Sequence, residues 1–338
     1  MTVVVPPLEF AADSVGLDNL AAALGEFDLL ILGNEVGANE QPHPTELREK
    51  TLPEQARRAG LPTWFMRMGS KTKDDFGDAK DRFAIDKPGE GRDYPLWHEL
   101  PQWLEQYCAG KHVLVDLTTL SGSGIFQLHA AASQAESVQL SYCYTTPKRY
   151  PQVDRPDDIP PMITRSIKQP YGYRSFAQEQ LRSGKRRHII VLGFDRHRPN
   201  KFIEHYQWPL DDVFALLGDP AYVDGGVEQA KLSLGSVYVE LERLDHIRVI
   251  NPKLLHSHFD QTGIVDALGS LCSGVASVDL VPLGPKPTLL GCIVYWHSLP
   301  EAARAQTRLL YDFPVSRQMR TEGVDVTWLY RNVLTPRG

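Results

Sequence analysis

Two apolar segments 160 residues apart, FDLLILGNE at 27–35 and RHIIVLGFD at 187–195, share one plan. Each is a short β-rich run, then Leu-Gly, then an acidic residue near the end. HVLVDLTTL (112–120) is paired in the same way with ASVDLVPL (276–283), each a strand pattern around a central aspartate, Asp116 and Asp279. VQLSYCYTTPKRYP (138–151) is paired with TRLLYDFPVSRQ (307–318), each ending in Tyr with Pro three residues on. The offsets are Gly33 to Gly193, Asp116 to Asp279 and Tyr144 to Tyr311, in the same order along the chain. A repeat of this length constrains the fold more than any single motif, because each copy must be a unit of supersecondary structure.

Each copy alternates strand and helix, and its strands are apolar runs rather than in-and-out alternations. That pattern belongs to parallel sheets covered on both faces. The expected class is therefore α/β, with two tandem Rossmann-like parallel-sheet lobes related by internal duplication. The expected strands are 28–32, 62–68, 112–117 and 138–144 in the first copy, and 188–192, 245–250, 276–281 and 306–311 in the second. The expected helices are 45–59, 97–108 and 123–135, then 201–217, 259–273 and 287–298, with an extra helix around DNLAAALG near the N-terminus. Residues 1–150 form the first lobe and 186–338 the second. Residues 151–185 between them are rich in Pro and polar residues and read as a linker or excursion.

The chain's 338 residues suffice for two domains with their own cores. A net charge of −6 argues against a general nucleic-acid surface, and no apolar run approaches the roughly 18 residues of a membrane span. The first thirty residues lack a basic leader and predict no signal peptide. Cys108, Cys143, Cys272 and Cys292 form no CxxC pair and predict buried free thiols in a reducing cytoplasm.

In an open parallel sheet a ligand lies beyond the carboxyl ends of the strands. That rule selects Thr118, Thr119 and the Ser121-Gly122-Ser123-Gly124 turn in the first copy. In the second it selects Arg196, Arg198, Gly284, Lys286, Arg317 and Arg320. Glycines let backbone N–H groups approach phosphate, helix N-termini add a favourable dipole, and arginines give bidentate contacts to phosphate oxygens. Tyr144 and Tyr311 are candidates to stack a base, with a core role equally open. Glu35, Asp195 and Asp116 are the candidate acids or bases, and a capping role explains each as well.

Strand, Asp, a Gly/Thr/Lys turn, a helix and a strand ending in Tyr together resemble the nucleotide-sensing domains called CARF and their fused form, SAVED. VDLVPLGPKPTLLG is similar to that turn through Gly284, Lys286 and Thr288. VDLTTLSGSGIF is similar through Asp116, Thr118 and the Ser/Gly turn, without the lysine. The resemblance implies cyclic-oligonucleotide binding in antiviral defence, a cytoplasmic location and an effector carried by a partner chain. Two alternatives stay open: a phosphorylated-nucleotide hydrolase resembling a ring nuclease, and a non-binding scaffold subunit. A homo-oligomer is also open.

Other motifs carry less. His256, His258 and Asp260 form an HxHxD lacking the histidine that would complete a metal set, so no metal is expected. GNEVGAN misses the second glycine of the dinucleotide fingerprint, and no cofactor is expected. SGKRRH (183–188) reads as a solvated basic turn, and YGYRSF (171–176) as linker with aromatics for a base or a partner. WHELPQWLEQYC (97–108) spaces its aromatic and leucine residues for a helix packed on the core.

Overall fold

The computed structural model describes residues 13–33, 47–68, 83–149, 171–172, 184–194, 198–311 and 322–336. Their strands form two sheets in a mixed α/β fold. In the first sheet, β2 (Leu29–Gly33), β3 (Thr63–Met68), β6 (His112–Asp116) and β7 (Gln139–Thr145) run parallel in the order β7-β6-β2-β3. In the second, β9 (Arg186–Val191), β10 (Val213–Gly218), β11 (Ile247–Ile250), β12 (Ser277–Pro282) and β13 (Thr307–Tyr311) run parallel in the order β11-β10-β9-β12-β13. Strand order therefore reverses between β2 and β6 in one sheet and between β9 and β12 in the other. Those are the crevice points of a doubly wound sheet.

The edges exchange chain. β8 (Tyr171–Gly172) follows β7 in sequence yet pairs antiparallel with β13. β14 (Val326–Leu334) follows β13 yet pairs antiparallel with β7. Residues 326–334 thus belong to the first sheet although they come last in the chain. β1 (Asp13–Gly16) pairs with the outer edge of β14, and a hairpin of β4 (Phe83–Lys87) and β5 (Gly91–Asp93) extends the sheet beyond β3.

Burial explains why the strands are apolar throughout. In β2 successive side chains serve opposite faces. Leu29 and Ile31 join one core, while Leu30 and Leu32 join another beneath α1 (Leu17–Leu24) and α2 (Leu47–Ala59). The first of these cores is shared by both sheets. It contains Val113 and Val115 of β6, Ile189 of β9 and Leu280 of β12, with Ile125 and Leu128 of α4 (Gly122–Ala132) and Leu290 and Ile293 of α9 (Lys286–Ser298) among them. A helix that is apolar all round is buried all round; α4 is buried at every residue but Gln127, and α9 is buried from Pro287 to Ile293. α3 (Leu100–Cys108) and α8 (Ile264–Cys272) complete this central layer. The outer face of the second sheet is covered by α5 (Arg198–Tyr206), α6 (Gly226–Leu234) and α7 (Ser236–Arg243).

The helix expected at 201–217 is not found: the helix there ends at Tyr206 and Val213–Gly218 is a central strand. A five-residue apolar run has no period of its own, and continuity with the helical KFIEHYQW obscured it. Trp64, Trp103 and Tyr107 pack edge-on or tilted, placing Trp103 and Tyr107 of the 97–108 segment against the core, whereas Trp97 is 46% exposed and lies outside it.

Candidate functional site

The turn after β6 is organised by Asp116, the last residue of that strand and almost fully buried. Its carboxylate accepts from the Thr118 N–H at 2.8 Å, the Thr119 N–H at 3.2 Å and the Thr119 hydroxyl at 2.7 Å. Thr119 Oγ1 in turn accepts the Gly33 N–H from β2 at 2.7 Å, and Thr118 Oγ1 accepts the Thr145 N–H from β7 at 2.9 Å. Ser121 caps α4 by accepting from the Gly124 N–H at 3.1 Å, with Ser123 Oγ 3.2 Å away. The hydroxyl-rich turn is thus a self-bonded unit, and Gly122, Ser123 and Gly124 are buried as the first turn of α4.

Lys286 crosses to this turn from the other sheet. It is the first residue of α9, and its Nζ donates to the carbonyls of Thr118 at 2.7 Å and Leu120 at 2.6 Å. Lysine at a helix N-terminus opposes the helix dipole; two carbonyl oxygens offset that cost here. The contact brings the positive ends of α4 and α9 within one side chain's length of each other. Of the residues singled out from sequence, Thr118, the 121–124 turn, Gly284 and Lys286 are brought together. Arg198 is buried at the start of α5, its guanidinium 5.7 Å from the ring of Tyr311 at the end of β13. Tyr144 is buried with its ring 5.4 Å from that of Tyr222, so it is part of the seam between the sheets. Glu35, Asp195, Arg196, Arg317 and Arg320 lie outside the described residues.

The paired aspartates occupy different places. Asp116 ends its strand, whereas Asp279 is the third residue of β12, in register with His188 of β9 and Arg308 of β13. Asp279 Oδ2 accepts from His188 Nδ1 at 2.8 Å, and Arg308 binds the same carboxylate through two nitrogens. Burial raises the Asp279 carboxyl, but the bonds from His188 and Arg308 outweigh it and leave its pKa lowered. The indole of Trp208 stacks on His188 at 4.2 Å. This buried cluster went unread because its members lie 91 and 29 residues apart; their shared register on neighbouring strands was the only available signal.

A second missed cluster joins the sheets. Tyr222, beyond β10, donates its hydroxyl to the Pro252 carbonyl at 2.8 Å and lies 2.9 Å from the hydroxyl of Tyr330 in β14. Lys253, beyond β11, places its Nζ 5.7 Å from the Tyr222 ring centroid and 5.2 Å from that of Trp328.

At the opposite, amino end of the second sheet lies a groove of about 340 Å³, where Lys185, Arg186 and Arg187 face Asp211, Asp212 and Asp245. The basic run of 183–188 contributes to this groove. His256 lies 3.6 Å from Asp266, and among the described residues no three His, Cys, Asp or Glu side chains gather to hold a metal. Also among the described residues, no helix is long and apolar enough to cross a membrane. No protein-family model matches the chain, and no curated protein matches it.

Proposed function

We propose that this chain is a nucleotide sensor of the CARF/SAVED kind, built from two Rossmann-like copies of one unit. Its ligand is a nucleotide or cyclic oligonucleotide, bound where the strand-end turns of the two sheets meet, and binding is relayed to a partner effector in bacterial antiviral defence. The observation that carries this reading is the bond from Lys286 Nζ to the Thr118 and Leu120 carbonyls. It joins the ligand-side turn of one sheet to that of the other and gathers two helix N-termini and an ammonium in one place, which favours phosphate. The common order of four parallel strands and the reciprocal exchange of β8 and β14 support duplication.

A second reading, a scaffold without ligand, is favoured by the same contact, since two of the lysine's donors already serve carbonyl oxygens. Thermal denaturation with cyclic di-, tri- and tetranucleotides separates the two. A ligand at a hundred times its Kd adds about 2.7 kcal/mol of stability, whereas a scaffold shows no shift with any of them.

A further inference from the structure

Lys253 is a cation with a fixed backbone and, among the described residues, no ion-pair partner. Its N–H donates to Asn251 Oδ1 at 3.0 Å, and the Asn251 amide is held by Gln261 Oε1 at 2.6 Å. The Pro252 carbonyl just before it is held by the Tyr222 hydroxyl at 2.8 Å. Because that hydroxyl spends its one proton on Pro252, the Tyr330 hydroxyl donates to Tyr222, and the turn is tied to β14 of the other sheet. The side chain then runs out between the rings of Tyr222 and Trp328. Among the described residues its Nζ makes no hydrogen bond or ion pair. Asp325 attracts it only from a distance, while burial lowers its pKa. Aromatic faces repay part of the cost of withdrawing an ammonium from water. A methionine there would carry no such cost.

We propose that Lys253, set against Tyr222 and Trp328 at the seam of the two sheets, is a phosphate-binding subsite for a phosphorylated small molecule. It lies beyond the carboxyl ends of β10 and β11 and beside the first residues of β14. A phosphate held there touches loops of the second sheet and a strand of the first at once. The assignment rests on the reading that a phosphorylated ligand is taken at the strand ends, and it names a residue which that reading had not included.

The test is calorimetric titration of the full chain, as wild type, Lys253→Met and Lys253→Arg, with inorganic pyrophosphate at low salt and with the cyclic oligonucleotides. The expected result is pyrophosphate binding to wild type, at least tenfold weaker binding to Lys253→Met with an unchanged or higher melting temperature, and substantial recovery in Lys253→Arg. Equal pyrophosphate binding by wild type and Lys253→Met overturns the subsite, and if cyclic oligonucleotides still bind, the sensor reading survives. Failure of Lys253→Arg, while folded, to bind better than Lys253→Met also overturns it. Wild type that binds neither probe overturns both.

Discussion

Gly33 and Gly193 stand in the same relation to the opposite loop: a Cβ on either would fall 2.1 Å from a backbone oxygen, that of Thr119 in one sheet and of Leu283 in the other. Gly33 ends β2 and Gly193 lies two residues beyond β9, each at its sheet's reversal point, and each is covered there by the turn leaving the neighbouring strand. The Leu-Gly of both sequence segments thus has a steric cause. Gly33→Ala and Gly193→Ala must each push a buried turn aside, at a cost of about 3 kcal/mol. Urea denaturation measures this, and an unchanged midpoint for either variant contradicts the close approach.

Lys286 binds across the seam, so its loss should be felt in stability as well as in ligand affinity. From sequence alone, a ligand lysine in a loop predicts that Lys286→Ala spares the melting temperature. The bonds to Thr118 and Leu120 change that expectation. Hydrogen bonds from a charged donor contribute roughly 1.5–3 kcal/mol. Lys286→Met should lower stability by about 2 kcal/mol, read from the urea midpoint. No loss would mean the bridge contributes nothing to joining the sheets.

Acid should weaken the fold in two stages. His129 on α4 is fully buried against Tyr142 and His297; burial first, and then His297, holds its pKa well below the ordinary 6.5. The unfolded chain takes up this proton near pH 6.5 and the folded chain does not. His129 therefore favours folding fully above that pH and progressively less below it. His112 is lowered too, chiefly by burial, and acts in the same direction. Asp279, lowered from 3.8, adds a second loss only as the pH falls below that value. Urea midpoints between pH 7.5 and 5 should fall in wild type and fall less in a His129→Phe, Tyr142→Phe double variant. Equal slopes refute the assignment.

Asp279→Asn leaves Arg308 and His188 with a neutral partner in a buried row. Breaking a buried charge network costs about 3–5 kcal/mol. Loss of this order in denaturation at pH 7 is expected, whereas a change under 1 kcal/mol would show that the row is dispensable.

Phe259 sits at the tip of a turn closed by reciprocal His258 and Gln261 backbone bonds, 94% exposed and with φ of +50°. A bulky L-residue in that region costs roughly 1–2 kcal/mol. Phe259→Gly should raise stability by up to about 1 kcal/mol, and a fall would mean the ring packs on the turn.

The fold was legible where a residue's pattern was also its burial. The runs 28–32, 112–117, 188–192 and 276–281 became the four central strands because their aliphatic side chains meet apolar layers on both faces. It was illegible where long-range pairing decides. Nothing local marks Val326–Leu334 as a strand of the first sheet, since its partner β7 lies some 180 residues earlier. The site divides in the same way. Lys286 and Thr118 could be proposed together from the rule that ligands lie at strand ends, but the use of Thr118 and Thr119 as turn anchors depends on Asp116 geometry. Lys253 carried no motif, because its surroundings are assembled from residues 222, 328 and 330.

The central claim, a phosphorylated ligand shared by the two strand-end turns, is tested most directly by calorimetric titration of wild type and Lys286→Met with cyclic di-, tri- and tetranucleotides. The account predicts saturable binding of at least one of them by wild type, and at least tenfold weaker binding by a folded Lys286→Met. Absence of binding across the panel, or equal affinity in the two proteins, would contradict it.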